Sequence, residues 1–196
     1  MSVEGRIVYF DKPGRKNTDE VLTIVKRRAE ETGIKTIVIP SVSGYTATRA
    51  LEIIPHMNMV IVTAHTGYGT ADVQAFPEEL RKDITSRGIK ILTAPHVFGG
   101  IFYAMKDMYQ TATLGVEMAN TLRILGQGMK VVCEAAMAAC DAGLVQPGVE
   151  VFSVGGTDKG IDTAVTLNPV HVKDIFSLRV KEILCKPRMG GMYALT

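Results

Sequence analysis

Long apolar runs are missing from this chain. No stretch approaches the roughly 18 residues needed to cross a bilayer. The opening Met1-Ser2-Val3-Glu4-Gly5-Arg6 has neither the basic start nor the apolar stretch of a signal peptide. A dominant charge is missing too: 22 Lys and Arg face 20 Asp and Glu, and no basic run exceeds three residues. That balance argues against nucleic acid or a membrane surface as a partner. Cysteine is scarce. Cys133, Cys140 and Cys185 are odd in number and lack metal-ligand spacing, so reduced core thiols in a cytoplasmic protein, and no metal, are expected. Repeats, low-complexity tracts and linkers are also lacking. With 46% hydrophobic residues in 196, a single domain over residues 1–196 is expected.

What is present is a recurring pattern. Apolar, β-branched runs lie at Ile7–Phe10, Lys35–Ile39, Met59–Ala64, Ile89–Ala94 and Val149–Val154, and they fit strands buried on both faces. Helical spacing fills the gaps. Val21, Ile24, Val25 and Ala29 form one stripe, with Asn17 and Glu20 as a capping pair and Gly33 as a stop. Pro77-Glu78-Glu79-Leu80 reads as a first helical turn that leads to Gly88. The alternation predicts an α/β fold: a mostly parallel sheet in a three-layer α/β/α arrangement. Two more helices are expected at Lys106–Leu125 and Met129–Ala142. The first is apolar nearly all round, which suits burial between the sheet and another surface, such as a second subunit. The tail from Thr163 to Thr196 reads as one or two strands around a short helix near Val172–Ile175.

Ligands of open α/β sheets bind beyond the carboxyl ends of the strands. The residues that follow each expected strand there are rich in Gly, Thr, Ser, His and rings: Ser41–Thr46, Thr63–Thr70, Thr93–Gly100 and Ser153–Gly160. In Pro40-Ser41-Val42-Ser43-Gly44-Tyr45-Thr46 a strand, a hydroxyl turn and a helix follow one another. Free N–H groups and the helix dipole favour an anion at such a place, although hydroxyl turns also cap helices without a ligand. Other patterns fail. Gly67-Tyr68-Gly69-Thr70-Ala71-Asp72 lacks the third glycine of a dinucleotide fingerprint. Gly155 to Gly160 has the glycine spacing of a P-loop, but Ile161-Asp162 replaces the Lys-Ser/Thr pair.

Single side chains leave alternatives open. His65 and His96 sit just past strands, where each could meet a phosphate, move a proton or simply bond to loop backbone. His56 and His171 read as surface or turn residues. Glu134 and Asp141, seven apart on one helix, form either a solvated face or a catalytic pair. Asp158 and Asp162 could accept from a sugar or ribityl hydroxyl. Tyr45, Tyr68, Phe98 and Phe102 either stack on a planar ligand or form minor core. No catalytic residue is assigned.

Pro40–Ala47 resembles the strand–loop–helix of the pyruvate kinase C-terminal domain, where a Ser-Gly-x-Ser/Thr-Ala turn holds a phosphate of an effector. Gly143–Val151 resembles that domain's approach to its fifth strand, and Gly155-Gly156 through Asp162-Thr163-Ala164 resembles its Gly-rich loop and return strand. Pyruvate kinase activity belongs to a (β/α)₈ barrel longer than this chain, so that activity is not expected here. The resemblance is to stand-alone, archaeal-type proteins built on this domain and associated with FMN. It implies an FMN phosphate on Ser41, Ser43, Gly44, Tyr45 and Thr46. The remainder of the cofactor would cross Thr63, His65, Thr66, Gly67, Pro95, His96, Phe98, Gly155, Gly156 and Thr157. Thr157, Asp158 and Lys159 replace the effector loop's aromatic and Arg, so one phosphate is expected rather than two. An FMN-binding protein follows, as a flavin-dependent redox enzyme in one version. The alternative is a non-catalytic sensor of a small phosphorylated ligand, acting through a homo-oligomer.

Overall fold

The apolar runs pair into one seven-stranded sheet in the computed structural model, which describes residue 2 and residues 4–188. The strands are β1 (Val8–Phe10), β2 (Thr36–Pro40), β3 (Asn58–Ala64), β4 (Lys90–Ala94), β5 (Val151–Gly155), β6 (Thr163–Asn168) and β7 (Arg179–Pro187). Their spatial order is β1-β7-β6-β5-β2-β3-β4. Only the β5–β6 and β6–β7 pairs are antiparallel. The sheet is therefore mostly parallel, and residues 189–196 of the expected tail lie outside the described residues.

Strand periodicity sorts the core into two layers. Ile37, Ile39, Ile61, Phe152 and Val154 face helices α1 (Thr18–Thr32), α2 (Tyr45–Ile53) and α3 (Glu78–Ser86) through Val21, Leu22, Ala47, Ala50 and Ile84. Val38, Val60, Val151 and Val165 point the other way, onto α6 (Gln127–Asp141). The small residues of α6, such as Ala135, Ala136 and Ala139, let that helix lie close on the strands. Gly33 ends α1 with φ +76°, as expected of a left-handed cap. Asn17 does not cap α1; its amide donates instead to the Lys12 carbonyl at 2.8 Å.

The expected helix Lys106–Leu125 is two shorter ones, α4 (Ile101–Tyr109) and α5 (Leu114–Arg123). Gln110, at φ +47°, breaks them apart. They fold back on each other with Phe102 pressed against Gly115, where an added Cβ would lie 2.2 Å from the ring. No residue of α4 is buried, and Met108 is 74% exposed. Within the single chain α4 is thus not enclosed, and Ile101 and Met108 face outward. No helix among the described residues is long and apolar enough to cross a membrane.

Candidate functional site

All strands except β6 run the same way, so the loops after β1, β2, β3, β4 and β5 gather at one edge. The chain's crossovers diverge between β5 and β2, and that gap is where open α/β sheets leave a crevice. The loop after β2 enters α2 through Gly44, which has φ +86° and sits against Leu80 and Pro77. Ser41 is buried and its hydroxyl accepts the Ala47 N–H at 3.2 Å, while Thr46 is buried beside it and Ser43 is exposed. The first-turn N–H groups of Tyr45 and Thr46 are those that helix geometry leaves without an intrahelical acceptor. The Arg15 guanidinium lies over the Tyr45 ring, 3.8 Å from its centroid, which adds a cation beside that helix start.

Across the crevice, the loop after β5 is tied inward. Asp162 is fully buried; its Oδ2 accepts the Gly14 and Thr157 N–H groups at 2.9 and 3.1 Å, and its Oδ1 accepts the Thr163 hydroxyl at 2.9 Å. The carboxylate joins the β1 and β5 loops, so it is not free to accept from a ligand hydroxyl. Asp158 is exposed at φ +64°. Gly155 and Gly156 are required by close backbone approaches: an added Cβ would lie 2.4 Å from the Gly128 carbonyl and 2.2 Å from the Gly160 carbonyl. Thr157 is buried.

A second cluster lies over β3 and β4. Glu134 of α6 is buried, with Oε2 accepting from His96 Nδ1 at 3.1 Å and from Lys130 Nζ, while Oε1 accepts the Phe98 N–H at 3.0 Å. Burial pushes this carboxyl up. The His96 hydrogen bond and the Lys130 charge outweigh burial and hold it at about 2. The His65 and His96 rings stand at 86° with centroids 6.0 Å apart, and Tyr68 lies against both at 5.7 and 5.0 Å. His65 Nδ1 and His96 Nε2 are buried atoms without a hydrogen-bond partner among the described residues.

The other expected contacts distribute unevenly. Thr66, Gly67 and Pro95 are exposed at the edge. The Thr63 hydroxyl is engaged between strands, 2.7 Å from the Thr93 hydroxyl. The Phe98 ring is buried with Ala119 and Met137, so it presents no face at the loops. Glu134 and Asp141 do not act as a pair: Asp141 instead meets His171 Nδ1 at 2.9 Å on the far end of α6. A groove of about 570 Å³ between α1 and β7 is lined by Arg27, Arg28, Glu31 and Glu182, and none of the expected site residues lines it. Among the described residues no group of three or more His, Cys, Asp or Glu is placed to hold a metal.

Lys130 and Arg15 did not stand out in the sequence. A Lys four residues before a Glu on an otherwise apolar helix is the signal that could have singled out Lys130. Arg15 opens a short 3₁₀ turn, Arg15–Asn17, beyond a three-residue strand, with no local pattern to mark it.

The profile of the family described as "Pyruvate kinase, alpha/beta domain" matches residues 19–171. The chain belongs to this family. Among solved structures it is similar to pyruvate kinases of Cryptosporidium parvum. One is 14% identical over 78% of this chain and 23% of that one, with a TM-score of 0.41. A second is 13% identical over 81% of this chain and 23% of that one, with a TM-score of 0.39. A third, in complex with ADP, is 13% identical over 88% and 25%, with a TM-score of 0.37. The chain thus spans about a quarter of the length of these pyruvate kinases.

Proposed function

We infer that this α/β domain binds a mononucleotide of the flavin type, FMN, at the carboxyl edge of the sheet. The observation that carries the reading is the cradle at the start of α2: Gly44 at φ +86°, Ser43 exposed beside it, and the Arg15 guanidinium over the Tyr45 ring. A single phosphate monoester suits leftover N–H groups, one hydroxyl and one nearby cation. The donor set matches the phosphate end of FMN. Bound there, FMN would supply two-electron redox chemistry, with position and nearby hydrogen bonds as the protein's part. Toward the ring end, His65, Tyr68 and His96 offer flat surfaces, while Thr63 and Phe98 contribute through their place in the scaffold rather than through a free hydroxyl or ring.

A second reading has one observation in its favour. The same cradle takes any phosphate monoester, and α4 carries the exposed apolar residues Ile101, Met105 and Met108, as a sensor coupled to self-association would. Absorbance between about 300 and 550 nm after FMN addition and gel filtration separates the two. Retained flavin absorbance is expected for the wild type, with Ser43→Ala losing about tenfold in affinity, as removal of one charge-assisted hydrogen bond costs. If no flavin is retained while sugar phosphates raise the melting temperature, the sensor reading replaces it.

A further inference from the structure

Arg15 is held at the cradle by a different part of the chain from the strand that precedes it. β1 pairs with β7 only through Val8, Tyr9 and Phe10, and the chain then crosses toward α1. The loop after β5 grips that crossing. Asp162 Oδ2 accepts the Gly14 N–H at 2.9 Å, the Thr18 hydroxyl accepts the Ile161 N–H at 3.2 Å, and an added Cβ on Gly160 would lie 2.7 Å from the Arg15 Cα. Asp162 is fully buried and accepts only from uncharged groups, the Gly14 and Thr157 N–H and the Thr163 hydroxyl. A buried carboxylate is costly unless its hydrogen bonds are met, and two of these come from the backbone of loops at the carboxyl edge. The exposed Arg15 guanidinium, 3.8 Å from the Tyr45 centroid, has no ion-pair partner among the described residues. Arg15 lies ahead of residue 19, where the match to the family begins, so this cation is not a feature of the matched segment.

We propose that Arg15 is the residue that makes the cradle select a phosphate-bearing ligand over its uncharged counterpart, with Asp162 as the positioning residue that sets Arg15 in place. The proposal rests on the phosphate cradle argued above. Helix N–H groups and a hydroxyl bond to neutral and anionic oxygens alike. A guanidinium adds a full charge and a fork of donors that matches phosphate geometry. Its face is taken by the Tyr45 ring, so its edge is the part left to donate. Without the Asp162 link, Gly14 and Arg15 lose the hydrogen bond that ties them to the β5 loop.

FMN and riboflavin, which differ by the phosphate alone, read the selectivity by equilibrium dialysis against the full chain. Arg15→Ala should lower FMN affinity about tenfold, as loss of a charge-assisted hydrogen bond does, and leave riboflavin unchanged. Arg15→Lys should recover part of the loss. Asp162→Asn should cost about fivefold for FMN and nothing further in the Arg15→Ala background, since coupled residues are not additive. Equal losses for both flavins in Arg15→Ala would overturn the proposal and leave the FMN reading standing. So would an Asp162→Asn effect that is the same in both backgrounds. Hydrogen exchange in the wild type checks the link without altering Asp162: FMN at saturation should slow the Gly14 amide, and unchanged exchange would count against it. If the wild type binds neither flavin, the FMN reading falls by itself, and ribose 5-phosphate against ribose reads the same variants. No preference for the phosphorylated sugar would then overturn the proposal as well.

Discussion

At Gly44 the chain turns left-handed, φ +86°, just where β2 hands over to α2. An added Cβ there would lie 2.4 Å from Leu80 Cδ2 and 3.3 Å from Pro77 Cδ. Leu80 can rotate away, but the backbone conformation cannot be relieved that way. Gly44→Ala should therefore cost about 1–3 kcal/mol, the range for a non-glycine residue held in a sparsely populated conformation. Urea unfolding checks it, and a change under about 0.5 kcal/mol would mean that the turn relaxes freely. Gly155 is tighter in kind, since its neighbour is the Gly128 carbonyl, a backbone atom with nowhere to go. Glu134 shows how one residue organises others: its two oxygens hold an imidazole, an ammonium and a loop N–H.

Among the elements, α4 differs most from its sequence pattern. Ile101, Met105 and Met108 recur at helical spacing yet are 70%, 42% and 74% exposed. Met108→Lys should shift stability by less than about 0.5 kcal/mol, as surface changes usually do. A thermal melt that drops by much more would show that this face is covered in solution. The apolar run Lys106–Leu125 read as one buried helix because periodicity records which residues are apolar, not whether a partner exists. Nothing in composition marks Gln110, at φ +47°, as the break, and the contact of Phe102 with Gly115 joins residues that local periodicity does not relate. The strands were more legible. β2, β3 and β5 are buried on both faces, so their β-branched runs stand out on propensity alone. His65 and His96 were legible by the same logic, since each follows a strand. The link of His96 to Lys130 through Glu134 was not, because α6 reaches the loop after β4 only through the tertiary stacking of layers.

For the whole molecule, Glu134 couples folding to pH. Its carboxyl falls from an ordinary 4.5 to about 2 in the folded state, with the His96 hydrogen bond and the Lys130 charge outweighing burial. A group depressed by folding contributes stability above its unfolded value and loses it as pH falls toward its folded value. The wild type should thus lose stability between pH 4.5 and about 2. Glu134→Gln should show a shallower dependence across that window in urea unfolding at stepped pH. Equal slopes would place the acid sensitivity elsewhere. The sheet order has a consequence of its own for how this molecule comes together. β1 pairs with β7, Val8 beside Cys185, and the Gly14 N–H reaches Asp162 at 2.9 Å. Contacts so far apart along the chain close a long loop, whose entropy must be lost before the pairing returns anything. β2, β3 and β4 can assemble early from near neighbours, whereas β1 has to wait for a strand made almost 180 residues later. During synthesis, β1 therefore stays without its sheet partner until β7 has been made.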